Sequence, residues 1–215
     1  MTAPIPLHNT HLVHRPAFCA ILVQPKIMLI RFLTWRYALR NLWMLRKASK
    51  AARVTVRGPL YASLKGTCTI GTNVTINSDH RANPVGAASK TQLIVKAGAQ
   101  LHIGNNVGIS NSSLFSSQSI TIENNVLIGN GCMIWDTDFH PLTFSDRLAH
   151  PNSGAVSKPI VIRQGAFIGA CSIILKGVEI GERSVIGAGS VVTRSIPADE
   201  IWAGNPAVFI RKINA

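Results

Sequence analysis

His140 is the side chain best suited to move a proton. It stands in Trp135-Asp-Thr-Asp-Phe-His-Pro-Leu, with carboxylates four and two positions before it at Asp136 and Asp138. A neutral imidazole can accept a proton near neutral pH. Its second ring nitrogen needs an acceptor to fix the tautomer, and Asp136, Asp138 or a backbone carbonyl could serve. The plain alternative is a surface histidine at the base of a loop. His102 and His150 are less well placed. His8, His11 and His14 have a spacing that could bind a metal, but such tails are more often disordered, and no metal requirement is expected. Cys19, Cys68, Cys132 and Cys171 include no Cys-x-x-Cys pair. Reduced core thiols are expected, as in a cytosolic protein.

The element that must position His140 is a six-residue repeat. From Ile162 to Pro197 the chain reads Ile162-Arg-Gln-Gly-Ala-Phe, Ile168-Gly-Ala-Cys-Ser-Ile, Ile174-Leu-Lys-Gly-Val-Glu, Ile180-Gly-Glu-Arg-Ser-Val, Ile186-Gly-Ala-Gly-Ser-Val, Val192-Thr-Arg-Ser-Ile-Pro. Position one is always β-branched. Position five is mostly small: Ala166, Ser172, Val178, Ser184, Ser190 and Ile196. A strict period of six marks a parallel β-helix, with three hexads per triangular coil of about 18 residues. Positions one and five point inward. Earlier hexads begin at Leu64, Ile70, Ile76, Val95, Ile103, Ile109 and Phe115. An extra residue is expected at Thr121 before Ile122, Ile128 and Ile134. Five to six coils are expected between residues 54 and 197. Residues 80–91 and 141–159 carry no hexad and are expected to project, the second directly after His140. Long loops of this kind are usually functional.

On these hexads, from about Leu64 to the C-terminus, the chain resembles the left-handed β-helix acyltransferase superfamily. Within it the chain is similar to the maltose and galactoside O-acetyltransferases and related polysaccharide O-acetyltransferases. The resemblance implies an all-β solenoid, a left-handed parallel β-helix of hexapeptide repeats; the N-terminal α-helical segment is read from its own residues. The hand comes from the resemblance, since general crossover preference points the other way. It implies transfer of an acetyl group from acetyl-CoA to a hydroxyl of a sugar or glycan intermediate, directly in a ternary complex. His140 is then the general base that takes the hydroxyl proton during attack on the thioester. A homotrimer with active sites at subunit interfaces is also implied.

The small positions Gly169-Ala170 and Gly187-Ala188-Gly189 match the family's donor edge, with Ala170 N–H donating to the thioester oxygen. Thr193, Arg194, Arg211 and Lys212 match its distal site, where the cations meet CoA phosphates. Acceptor candidates are Asn111, Ser116, Ser117, Trp135 and Phe167, the last at a place often held by Trp. One departure stands out. The stretch Phe115-Ser116-Ser117-Gln118 lacks the carboxylate that galactoside-type enzymes use to hold the sugar. A glycan or sugar-containing intermediate therefore fits better than a simple galactoside or maltose.

The chain has 215 residues, 47% hydrophobic and 14% charged, and a formal net charge of +13. Low charge and high aliphatic content suit a β-helix, whose turns are Gly, Asn and Ser. The organisation read from this is a tail and basic amphipathic helix over 1–52, the β-helix over 53–200, and a C-terminal tail over 201–215. The helix is expected from about Lys26 to Lys50. Met28, Trp35, Leu39 and Leu42 lie on one side, and Arg36, Arg40 and Lys47 on another. It packs on the column or a neighbouring subunit, or it lies on an anionic membrane surface. No apolar run reaches the roughly 20 residues of a membrane span, and no secretory signal is evident. A cytoplasmic location follows, peripheral to the inner membrane face if the helix binds lipid. Nucleic acid is not expected as a partner, because basic residues are not interleaved with aromatics. Other functions weighed are N-acylation of an amino sugar, acetylation of a xenobiotic, and a non-enzymatic β-helix scaffold. A γ-class carbonic anhydrase needs three metal-ligating histidines, which the repeat does not supply.

Overall fold

The structure is a computed structural model that describes residues 37–50, 53–85, 90–150 and 153–213. The hexads wind through three parallel sheets in rotation. The first corner of each coil joins the first sheet to the second. The second corner leads on to the third sheet, and the third corner starts the next coil.

One inward aliphatic of each coil stacks in register on each sheet; on the third sheet it is Leu93 and Leu114 in place of the expected Val95 and Phe115. Ile70, Ile103, Ile122, Ile162 and Ile180 stack on the first sheet. Ile76, Ile109, Ile128, Ile168 and Ile186 stack on the second. Leu93, Leu114, Ile134, Ile174 and Val192 stack on the third. All are buried, as are Ala166, Ser172, Val178, Ser184, Ser190 and Ile196 at position five. Each buried aliphatic contributes about 1.5–3 kcal/mol, and one coil alone could not bury its apolar face.

At the first corner Asn73, Asn106 and Asn125 adopt φ of +58°, +58° and +59°. Asn is among the few side chains that enter this region readily. Their amides form a ladder along the column: Asn73 Nδ2 donates to Asn106 Oδ1, and Asn106 Nδ2 to Asn125 Oδ1, each at 3.0 Å. Asn106→Ala loses both bonds and strains the turn. It is expected to cost about 2 kcal/mol in a urea melt.

The coil through Phe115 departs from the simple hexad reading. Leu114 and Ser116 point inward, and Phe115 points out, paired with Ile94 and Trp135. Leu114 reaches the core five residues after Ile109, through a tight second corner with Asn111 at φ +45°. The additional residues then fall in the turn 116–119, not at Thr121.

The chain ends depart from expectation too. Among the described residues the helix covers 37–44, and Ser49–Lys50, expected as its end, pairs as a strand with Thr69–Ile70. The helix docks through Asn41, whose Nδ2 donates to Gly58 O at 2.8 Å while its Oδ1 accepts from Leu60 N at 3.1 Å. Leu45 and Ala48 beyond it close the open end of the core. Leu39 and Leu42, expected on a packing side, are exposed. Met28, Trp35, Arg36, Cys19 and the three N-terminal histidines lie outside the described residues. The expected C-terminal tail is a hairpin. Glu200–Ala203 extends the second sheet below Val185–Ile186, and Val208–Lys212 returns antiparallel to it. No helix among the described residues is long and apolar enough to cross a membrane.

Candidate active site

After Trp135 the chain leaves the third corner as an arm and re-enters at Ile160. Backbone bonds close the base of the arm: Asp138 N donates to Val156 O at 3.0 Å, and Lys158 N to Asp136 O at 2.9 Å. A short helix, Phe144–Ala149, tips the arm and buries none of its residues. Leu142, Phe144 and Leu148 on the arm are more than 70% exposed.

His140 sits exposed at the base of this arm, its backbone N donating to Asp138 O at 2.7 Å. The preceding Phe139 takes φ +64°, and its ring meets Phe115 and Trp135 edge-on at 4.8 and 5.4 Å between centroids. The three rings make an aromatic wall at the foot of the arm, with Phe139 next to His140 in the chain. Lys96 Nζ lies 5.7 Å over the Phe115 ring. From the next coil, Lys176 Nζ holds Asp138 Oδ1 at 2.6 Å. The other oxygen, Asp138 Oδ2, is buried with no hydrogen-bond partner among the described residues.

The two candidate carboxylates have separate tasks. Asp136 is fully buried and faces the turn below Phe115. Its Oδ1 accepts from Ser117 N at 2.7 Å, and its Oδ2 from Gln118 N and Ser119 N at 2.8 and 2.7 Å. Ser116 Oγ adds a bond to Oδ2 at 3.1 Å and another to Gln100 O at 2.7 Å. Asp136 and Ser116 therefore hold the corner together. Neither is presented to an imidazole or an acceptor, which corrects the expectation for both. The carboxylate beside His140 is Asp138.

The other candidates are spread over the triangle. Ser117 and Trp135 share the third corner with His140. Asn111 is buried at the second corner, its Nδ2 on Asn130 Oδ1 at 2.6 Å. Phe167 is on the outer face of the second sheet, between Leu127 and Val185, and not on the wall beside Trp135. Gly169, Ala170 and Ala188 stack at the second corner. A Cβ on Gly169 would lie 2.5 Å from Ala188 N, so this close stacking requires glycine there. Thr193 and Arg194 are exposed at the third corner, two coils on from His140. The Arg194 guanidinium lies 4.9 Å over the Trp202 ring. Arg211 and Lys212 pair with Ile201 and Glu200, near the first corner.

In one chain the second corner, with Gly169, Ala170 and Ala188, thus lies apart from the third corner, with His140. The run from Gly131 to Trp135 along the third sheet spans roughly 13 Å at the usual strand rise. The sequence reading missed Phe115, Phe139 and Lys176. The alternation Leu-Phe-Ser at 114–116 is the signal that could have turned Phe115 outward.

Cys171, beside Ala170, is exposed at φ +60°, whereas Cys68 and Cys132 are buried. Burial pushes both of the latter thiols up to about 11. Iodoacetamide at mildly alkaline pH is expected to label Cys171 and spare Cys68 and Cys132, read by peptide mass mapping. Labelling of all three at equal rates would contradict the packing described.

Comparisons with known proteins show what this column is similar to. The family model for the bacterial transferase hexapeptide (six repeats) matches residues 159–194. The galactoside O-acetyltransferase of Escherichia coli K12 is 39% identical over 118 residues, 54% of this chain and 56% of that protein. That of Lactococcus lactis is 36% identical over 118 residues, 54% and 55% of the two chains. The chain thus spans about half the length of the curated relatives it matches. A galactoside acetyltransferase structure in complex with coenzyme A superposes with a TM-score of 0.58 at 26% identity, over 93% of this chain and 86% of that one. A hexapeptide-repeat acetyltransferase from Vibrio cholerae gives 0.57 at 26%, over 82% and 81%.

The column is therefore a left-handed parallel β-helix. Residues 159–194 carry the hexapeptide-transferase repeat, and the chain is similar to the galactoside O-acetyltransferases.

Proposed function

We propose that the protein is an acetyl-CoA-dependent O-acetyltransferase acting on a hydroxyl of a sugar or glycan intermediate, in clefts between the copies of a homotrimer. The observation that carries this reading is His140, an exposed residue at the foot of an extruded arm, where an aromatic wall also stands. The similar galactoside O-acetyltransferases, one of them holding coenzyme A, support the donor and acceptor classes.

In direct transfer His140 accepts the hydroxyl proton as the acceptor oxygen bonds to the thioester carbonyl carbon. The C–S bond then breaks. The imidazolium returns the proton to the departing sulfur, leaving an acetyl ester and free CoA. Asp138, held by Lys176, orients the imidazole, and Ala170 N–H stabilises the oxyanion. This chemistry requires no metal ion. The rings of Phe115, Trp135 and Phe139 offer a flat apolar face to the C–H side of a sugar ring. Ser117 and Trp135 are the acceptor candidates nearest the base.

The separation of Ala170 from His140 on different corners supports a shared site. The second corner of one copy faces the third corner of the next, and the exposed Leu142, Phe144 and Leu148 bury against that neighbour. Gly169, Ala170 and Ala188 line one side of the cleft. Thr193 and Arg194 lie down its other side, and Arg211 and Lys212 complete a basic foot for the CoA phosphates. Free cysteines suit a cytoplasmic enzyme.

The test is release of free CoA thiol from acetyl-CoA with a panel of sugars, glycans and amino sugars. Acceptor-dependent release with a hydroxyl acceptor is expected. Release with amino acceptors alone would move the reading to N-acylation, and no release with any acceptor would sink it. Arg211→Ala is expected to raise the donor KM about tenfold with kcat nearly unchanged.

A further inference from the structure

We infer that the N-terminal pole of the column docks on an anionic phospholipid surface, a contact separate from the acyl-transfer site. The charge of this chain is segregated. Residues 1–78 hold 11 of the 22 Lys and Arg and none of the 9 Asp and Glu; the first carboxylate is Asp79. The rest holds 11 cations against 9 carboxylates, so the N-terminal part carries +11 of the +13.

The structure gathers part of this charge next to apolar side chains. Docking through Asn41 and Leu45 turns Leu39, Leu42 and Trp43 outward, 50%, 62% and 58% exposed. Arg40, Arg46 and Lys47 are exposed among them. The Arg46 guanidinium lies 4.0 Å over the Trp43 ring, and its Nη1 donates to Trp43 O at 3.0 Å. Beside this pair is a cleft of about 220 Å³ lined by Trp43, Arg46, Lys47, Ser63 and Lys65. None of its three cations is in an ion pair among the described residues.

A bilayer meets both halves of this surface. Cations sit on lipid phosphates, the Trp ring sits at headgroup level, and the leucines reach the acyl boundary. A nucleic acid satisfies the charge and leaves Leu39 and Leu42 without a partner. A second copy of the same pole is disfavoured, because two such basic surfaces repel.

The experiment is co-sedimentation of the full chain with vesicles of phosphatidylcholine alone, or of an equimolar mixture with phosphatidylglycerol. Pelleting with the mixed vesicles only, reversed by added salt, is expected. Arg46→Gln/Lys47→Gln/Lys65→Gln is expected to weaken binding on the order of a hundredfold. Arg46→Lys keeps the charge and is expected to retain it. Leu39→Ser/Leu42→Ser is expected to weaken binding while circular dichroism and CoA release stay as in the parent. A full chain left in the supernatant would mean that residues 1–36 or another copy cover this face, and would overturn the inference. So would equal pelleting on uncharged vesicles, unchanged binding by the triple variant, or tight retention on single-stranded RNA without vesicle binding. None of these results touches the acyl-transfer reading.

Discussion

His140→Ala is expected to lower kcat by about 10²–10⁴, the usual contribution of a positioned general base. The donor KM is expected to change little, because the proposed donor contacts at Ala170, Ala188, Arg194 and Arg211 do not involve the imidazole. The fold is expected to survive, since the His140 side chain is exposed and fills no part of the core. Asp138→Asn is expected to cost less, as it keeps an acceptor beside the ring and loses the charge that Lys176 holds. Wild-type turnover by His140→Ala with an identified acceptor would make the base assignment wrong.

Asp136→Ala is expected to have the largest effect on stability. The buried carboxylate accepts three backbone N–H groups and one hydroxyl in the turn 116–119. Hydrogen bonds to a charged acceptor contribute about 1.5–3 kcal/mol each, and buried donors left without a partner add a penalty. The bonds share one group and do not add fully, so a loss of at least about 3 kcal/mol is expected. That is a large share of the stability of a typical domain. A urea melt checks it. Asp136→Asn, which keeps two acceptor lone pairs, is expected to fall between. An unchanged midpoint for Asp136→Ala would show that solvent or another group satisfies the turn.

The column was legible because its period is strict where it matters. Ile162, Ile168, Ile174, Ile180 and Ile186 recur every six residues, and each lands in the core. The coil through Phe115 was not legible from period alone. A tight second corner at Asn111 moved the inward position to Leu114. Nothing local announces that Asp136, 17–20 residues later, stabilises the long turn that restores the register. The same slip hid the aromatic wall, because Phe115 read as a core residue. His140 was legible from its place at the end of a hexad, before a stretch without repeats. Asp136 and Asp138 look equivalent in the sequence. Only the packing shows one facing the turn and the other facing Lys176. The N-terminal helix was read from its apolar residues, yet the side chain that docks it is the buried Asn41. A polar residue that satisfies Gly58 O and Leu60 N leaves no trace in hydropathy.

The proposed site is built from two copies, with the base from one and the donor corner from the next. Co-expression of His140→Ala with Ala170→Trp tests it most directly. Each variant alone is expected to be close to inactive, the second because its bulk blocks the donor corner. In randomly mixed trimers about one quarter of the clefts join an intact His140 to an intact Ala170. Turnover near a quarter of the parent value is therefore predicted for the mixture. A mixture no more active than the two variants measured apart would place His140 and Ala170 in one chain's site and contradict the account.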